Sequence, residues 1–144
     1  GRRVRTLPGT GAAGGLGAAL MTLFQAVQRP GIEIVLEAVS FRDRIRGAAL
    51  VLSGEGKVDA QTACGKAVSG VVRAARSGHV PVVLLAGSVD EDAESLYREG
   101  VVSLFSICTR PMTLAEAMGR ASWLVETAAE RVTRLAVHGG LLWS

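Results

Sequence analysis

Three short apolar runs in the second half of the chain set its predicted architecture. They are ALVLS at 49–53, PVVLLAG at 81–87 and VSLFSI at 102–107. Each run is rich in Val and Leu and shows no alternation with polar residues, a pattern typical of strands buried on both faces of a parallel sheet. The sequence therefore predicts three parallel strands.

Helical patterns occupy the segments around these runs, at about 62–77, 91–98 and 113–137. Thr113 and Glu116 form a capping-box pattern at the start of the last one, and its apolar stripe, predicted to be core, includes Leu114, Met118 and Leu124. Strand and helix thus alternate, which favours right-handed βαβ units in a doubly wound α/β fold.

The first half of the chain carries a different pattern. Residues 4–7 suggest a short strand, residues 9–17 a glycine-rich turn, and residues 18–27 a helix that ends before Pro30-Gly31. Apolar residues from Ile32 to Val39 then recur at helical spacing. We expect a second helix there, ending before Gly47.

Composition and charge exclude several classes of protein. The chain is 49% hydrophobic but only 4% aromatic, so the core must be aliphatic, and a net charge of +3 with arginines mixed among acids does not predict a nucleic-acid partner. No apolar run of about 18 residues is present, so no membrane partner is expected. Cys64 and Cys108 lack metal-ligand spacing and are interpreted as reduced thiols of a cytoplasmic protein. A homo-oligomer is left open.

The segment SGEGKVDAQTACGK, residues 53–66, contains both lysines of the chain, Lys57 and Lys66. It follows a predicted strand directly, and ligands of open parallel sheets bind outside the carboxyl ends of the strands. Gly54 and Gly56 allow a ligand to approach the backbone closely.

Carboxylates and lysines in this segment are the residue types that phosphoryl transfer uses, because that reaction depends on positioning and charge neutralisation. Glu55 and Asp59 are suited to Mg²⁺, and Gln61 and Thr62 lie at a predicted helix start, which attracts anions. A charged surface loop with local ion pairs fits the same residues. A Walker A loop does not fit, because Ala67 follows Gly65-Lys66.

The stretch GTGAAG at 9–14 matches GxGxxG, which on its own is a weak signal. A dinucleotide site would need a strand after the first helix, whereas Glu33 and Glu37 lie on a predicted helix. A backbone cradle for phosphate, formed around Gly11, Gly14 and Gly15, is an alternative. Close helix packing through small residues is another.

Several segments together resemble one family. They are PGTGAAGGLGAAL (8–20), RPGIEIVLEAVSF (29–41), ALVLSGEGKVDAQTACGKAVSGV (49–71), PVVLLAGSV (81–89) and SLFSICTRPMTLAEAM (103–118). In this order, from Pro8 to about Leu135, they closely resemble the C-terminal part of the bacterial glycerate kinase family, type 1. Two departures are Ala49, where the family has an acid, and Ser53, which replaces Thr but keeps a hydroxyl.

The resemblance implies an enzyme that transfers the γ-phosphoryl group of ATP, with Mg²⁺, to a hydroxyl of D-glycerate. It implies a Rossmann-like α/β fold with a mostly parallel sheet and helices on both faces. Residues 1–144 would be a C-terminal fragment of a two-domain enzyme, with most of the Rossmann-like domain from about residue 47 onward.

The resemblance also implies roles for individual residues. Glu55, Asp59 and Lys66 are the candidate catalytic residues, with Glu55 and Asp59 organising Mg²⁺ or the glycerate hydroxyl. The candidate substrate- or phosphate-binding residues are Gly11, Gly14, Gly15, Gly54, Gly56, Gln61 and Thr62. A non-catalytic α/β module that binds phosphate or nucleotide, and a dinucleotide-binding domain, stay as alternatives.

Overall fold

The computed structural model describes residues 7–59, 62 and 66–140, with Lys66 described by its backbone alone. Its three strands are β1 (Val51–Val58), β2 (Val82–Val89) and β3 (Val101–Ser106). They form a parallel sheet in the order β1-β2-β3. The predicted parallel α/β architecture is therefore confirmed.

The chain divides into two compact units, Gly1–Pro30 and Gly31–Ser144. The first unit contains a 3₁₀ turn, Ala12–Gly15, and α1 (Leu16–Leu23). Among its described residues, the second contains the sheet, a 3₁₀ turn at Glu91–Glu94 and six α-helices. These are α2 (Gly31–Ala38), α3 (Phe41–Arg44), α4 (Lys66–Ser77), α5 (Ser95–Glu99), α6 (Leu114–Gly119) and α7 (Ala121–His138).

The central strand β2 is buried on both faces. Val82, Leu84 and Ala86 belong to one core cluster, which also includes Val72 of α4. Val83 and Leu85 belong to a second cluster, which is completed by residues of α7 such as Leu124 and Val132. Helices therefore cover both faces of the sheet, as a buried parallel strand requires.

Three predicted helices are shorter or divided. The first ends at Leu23 instead of 27, and Gln25 has a left-handed φ of 54°. The second divides into α2 and α3 at Ser40, where φ is 51°. The third divides into α6 and α7 at Arg120, which leaves the helical conformation. The spacing of apolar residues did not reveal these interruptions, because a kinked segment can keep the same periodicity on both sides of the kink.

Two details of the last segment test the sequence predictions. Thr113 Oγ1 accepts a 3.2 Å hydrogen bond from the Glu116 amide, which confirms one half of the predicted capping box. The Glu116 carboxylate, predicted to complete the box, pairs with Arg110 instead. Leu114 and Met118 were predicted to be core, but they are 76% and 70% exposed. Leu124 is fully buried, as predicted.

Strand β1 extends to Val58, beyond the predicted end at 53, so the SGEGK residues lie in the sheet and not in a loop. Pairing explains the extension, because β2 continues to Val89 and offers backbone partners as far as the pair Val58–Val89. The predicted strand at 4–7 lies outside the described residues except for Leu7. No helix among the described residues is long and apolar enough to cross a membrane.

Two glycines, Gly56 on β1 and Gly87 on β2, are in close contact. A Cβ atom on Gly87 would lie 2.6 Å from the carbonyl oxygen of Gly56. Val51 and Val58 contact the same core cluster although strict alternation over seven residues would place them on opposite faces. The regular pleat of β1 is thus interrupted before its end, and the Gly56–Gly87 contact lies in that stretch.

We expect Gly87→Ala to destabilise the chain by about 1–3 kcal/mol, because the added methyl group must push a backbone carbonyl aside. Gly56→Ala is the matched control, since a Cβ on Gly56 meets no atom within 4 Å. That variant should change the free energy of unfolding by less than about 0.5 kcal/mol. Urea unfolding of both variants measures the difference, and equal midpoints would contradict the prediction.

Candidate functional site

The carboxyl ends of β1 and β2 lie side by side and carry charged residues. Val58 is in register with Val89, so Asp59 and Asp90 follow directly after paired positions. The Asp90 amide donates a 2.9 Å hydrogen bond to the Val58 carbonyl, which extends the backbone contact past the strands. We call the group Glu55, Lys57, Asp59 and Asp90 the β1–β2 rim.

Lys57 connects the two strand ends. Its Nζ atom lies 2.7 Å from Asp90 Oδ2 and 3.7 Å from Asp59 Oδ2. The hydrogen bond to Asp90 and that carboxylate's charge, with a smaller contribution from Asp59, raise the pKa of Lys57 above its usual value. The ammonium group, 57% exposed, is thus a stable cation between the two carboxylates.

Asp59 and Thr62 cap each other in the manner of a capping box. The Thr62 amide donates to Asp59 Oδ1 at 3.2 Å, and the Asp59 amide donates to Thr62 Oγ1 at 3.1 Å. Thr62 is only 7% exposed, and Ser69 Oγ of α4 donates to its carbonyl at 3.4 Å. These contacts fix the chain direction after β1 and hold the Asp59 carboxylate at the rim.

Glu55 lies on β1 two residues before Lys57, with an exposed side chain. It has no hydrogen bond or ion pair to any residue that the structure describes, so its carboxylate is available to a ligand. The neighbouring Gly56 is open on its Cβ side, and Gly54 makes only an ordinary contact with the Leu85 carbonyl. The strand backbone here is therefore accessible.

The carboxylates of the rim suit a Mg²⁺ ion that keeps most of its waters. They do not form a site in which protein side chains supply all the ligands. No group of three or more His, Cys, Asp or Glu residues arranged for a metal occurs in the described part of the chain. Glu55 and Asp59 are separated by four residues, or about 13 Å along an extended strand. Mg²⁺ usually keeps several waters and takes one or two carboxylates plus substrate phosphates. One exposed carboxylate such as Glu55 meets that requirement.

Two other predicted residues are placed less completely. Lys66 is the first residue of α4, so its backbone begins the helix that follows the rim. Gln61 lies outside the described residues, as does Cys64. Of the residues predicted to bind an anion at this helix start, the structure therefore describes Thr62 and the backbone of Lys66.

The glycine-rich segment of the first unit combines open and packed positions. Ala13, Gly14 and Gly15 have consecutive left-handed φ values of 49°, 67° and 97°, and a Cβ on Gly11, Gly14 or Gly15 would meet no atom within 4 Å. Irregular backbone of this kind can direct successive amides at an anion.

Gly17 behaves in the opposite way. A Cβ there would lie 2.2 Å from the Gly9 carbonyl oxygen, which leaves no room for a side chain. The two sequence interpretations thus apply to different glycines, with close packing at Gly17 and an accessible backbone at Gly11, Gly14 and Gly15.

The structure does not support the alternative of a dinucleotide-binding site. Such a site needs an acidic residue at the end of a strand, whereas Glu33 and Glu37 lie on helix α2.

Asp90 is the rim residue that sequence reasoning missed as a site candidate. The strand pattern indicated its neighbourhood, because Asp90 lies three residues beyond the second predicted strand. In the structure it directly follows β2, as Asp59 directly follows β1. Cys108 Sγ and Ser106 Oγ also reach this end of the sheet, where both donate to the Gly87 carbonyl, at 3.3 and 3.4 Å. Cys108 is a free thiol, as expected.

We expect Thr62→Val to lower the free energy of unfolding by about 1–3 kcal/mol, because the Asp59 amide loses its acceptor in a part-buried setting. Thr133→Val on α7 is the matched control, since Thr133 is exposed, and its effect should stay within about 0.5 kcal/mol. Chemical denaturation of the two variants provides the comparison. Equal losses would show that the cap does not hold the segment after β1.

Comparison with known proteins places this arrangement in a family. The model of the glycerate kinase family matches residues 1–137. The chain is 42% identical over 132 residues to a glycerate kinase of Halalkalibacterium halodurans, covering 92% of this chain and 35% of that protein. It is 42% identical over 114 residues to glycerate 2-kinase of Escherichia coli, covering 79% of this chain and 30% of that protein.

A solved structure agrees with these matches. A candidate glycerate kinase 2 from Salmonella typhimurium LT2 superposes with a TM-score of 0.68 at 37% identity, over 91% of this chain and 33% of that one. The chain thus spans about a third of the length of the relatives it matches. With an α/β fold, a charged strand rim and a family model that matches 1–137, the chain belongs to the glycerate kinase family.

Proposed function

We propose that the chain is the C-terminal portion of a type 1 bacterial glycerate kinase, which transfers the γ-phosphoryl group of ATP to a hydroxyl of D-glycerate. The observation that carries the proposal is the β1–β2 rim, where Glu55 is available to a ligand and Asp59 is held in place beside Lys57. Family membership supports glycerate as the substrate, and the rim supplies suitable chemical groups.

Phosphoryl transfer needs groups that position the phosphates and neutralise their charge. Glu55 would hold Mg²⁺ or the hydroxyl of glycerate, since its exposed carboxylate has no partner among the described residues. When bound, Mg²⁺ would neutralise charge on the phosphate oxygens of ATP. Lys66, at the first residue of α4, would place its positive charge near a helix N-terminus, where anions bind favourably.

Asp59 and Thr62 differ in the roles their contacts favour. Asp59 keeps one oxygen toward Lys57 and the other toward the Thr62 amide, so it would act as a fixed carboxylate that organises Mg²⁺ waters or the glycerate hydroxyl. Thr62 is buried, and its amide is occupied by Asp59. Its contribution to phosphate binding would therefore be to hold the segment that carries Gln61 and Lys66.

The open backbone at Gly11, Gly14 and Gly15 would offer a second anion cradle, within the first unit, for a phosphate or a carboxylate. Its left-handed residues and the space beside each glycine support this role. Other parts of the full-length enzyme would contribute further groups, given that the chain spans about a third of its relatives, and the catalytic base is not assigned to a residue. A cytoplasmic location accompanies the proposal, since ATP is the phosphoryl donor.

In the full-length enzyme, we expect Asp59→Ala and Lys66→Ala each to lower kcat/KM by at least about 100-fold, equivalent to about 2.7 kcal/mol of transition-state stabilisation. Each removes a charge that the reaction needs near the transferred group. A coupled ADP-release assay with D-glycerate measures the effect, and ³¹P NMR of the product identifies the hydroxyl that is phosphorylated.

The matched controls are Glu130→Ala and Arg134→Ala, which remove the charges of an exposed 3.5 Å ion pair on α7. These two variants should keep the parental kcat/KM. Near-normal activity of both Asp59→Ala and Lys66→Ala would reject the assigned site. Calorimetric binding of Mg-ATP without any phosphoryl transfer by the parent would instead support the non-catalytic binding module.

A further inference from the structure

Lys57 occupies a special position at the β1–β2 rim. It lies on β1, yet its closest charged partner is Asp90, which follows β2. Its second partner, Asp59, follows β1 itself. One ammonium group thus joins the first residues beyond two neighbouring strands, at the edge of the sheet where substrates of this fold bind.

The backbone at Asp59 and at Asp90 is fixed independently of Lys57. Asp59 is held by its reciprocal contacts with Thr62, and Asp90 by the hydrogen bond from its amide to Val58. The two residues therefore stay adjacent whether or not the lysine is present, while Asp59 Oδ2 and Asp90 Oδ2 both face its ammonium group. Like charges at such a site repel each other, so the ammonium group determines which geometry the two side chains adopt.

Stability alone does not account for this arrangement. An exposed ion pair contributes at most about 1 kcal/mol, and the Lys57 side chain is 57% exposed. The rim contains three carboxylates, those of Glu55, Asp59 and Asp90, and in the proposed reaction it meets ATP and glycerate, both anionic. Removing Lys57 would leave the neighbouring Asp59 and Asp90 carboxylates without the cation between them, so their mutual repulsion would displace Asp59.

We propose that Lys57 is a positioning residue for phosphoryl transfer, which holds the Asp59 carboxylate in its productive place through the bridge to Asp90. This inference rests on the proposed function and deepens it. Lys57 acts through Asp59 and does not itself touch the reacting atoms. Asp90 contributes to the same positioning, because its carboxylate is the second ion-pair partner of the Lys57 ammonium group.

The test uses the full-length enzyme with four variants: Lys57→Met, Lys57→Arg, Asp90→Asn and the double variant Lys57→Met/Asp90→Asn. We expect Lys57→Met to lower kcat about 10-fold or more while the KM for ATP changes less than about 3-fold. Lys57→Arg should restore most of the rate because it keeps the charge. Asp90→Asn should lower kcat in the same direction, and the double variant should be no worse than Lys57→Met alone.

Thermal unfolding accompanies the kinetics, and a melting temperature within a few degrees of the parent excludes general destabilisation as the cause. Arg134→Met, which removes an exposed cation on α7, is the matched control and should keep the parental kcat. Parental kcat in Lys57→Met would overturn the positioning role. A full effect of Lys57→Met with none for Asp90→Asn would also overturn it, by showing that Lys57 acts without the bridge.

The parent enzyme separates this failure from failure of the proposed function. A parent that does not phosphorylate glycerate overturns the proposed function, and the positioning role with it. A parent that is active, with Lys57→Met equally active, overturns the positioning role alone.

Discussion

Burial of β2 on both faces is the constraint on which the sheet and its rim depend. Val82, Leu84 and Ala86 lie in one core cluster, while Val83 and Leu85 lie in the other. A strand in this position must have a neighbour on each side and helices above and below, because its backbone groups and both rows of side chains are removed from water. β1, β3, α4 and α7 satisfy these requirements, and their arrangement brings the carboxyl ends of β1 and β2 together.

The rim follows from that pairing. Because β1 continues alongside β2 as far as the pair Val58–Val89, the residues after each strand are adjacent in space although about thirty positions apart in sequence. Lys57 then reaches Asp90 at 2.7 Å. Exposed pairs of this kind add little to stability, so the significance of the contact lies in where it holds its carboxylates.

Glycine serves two different purposes in this chain. At Gly87 and Gly17 the backbone of a neighbouring segment occupies the place of a side chain. At Gly14 and Gly15 the space is open and the backbone is left-handed. The first pair allows close packing and the second an accessible backbone, a distinction that requires knowledge of neighbouring atoms.

Sequence alone determined the parallel α/β architecture, the three strands and the family, because continuous apolar runs and local glycine and carboxylate patterns are properties of short segments. It placed Asp59 and Thr62 correctly beyond the end of a strand, but it ended β1 at 53, which put Glu55 in a loop, and it assigned Leu114 and Met118 to the core. Tertiary structure decided the length of β1, because that depends on backbone partners offered by β2. It also decided the interruptions at Ser40 and Arg120, the reciprocal cap of Asp59 and Thr62, and the Lys57–Asp90 bridge. Such contacts form between residues that folding brings together, and a local sequence pattern does not indicate which distant residue a given side chain will contact.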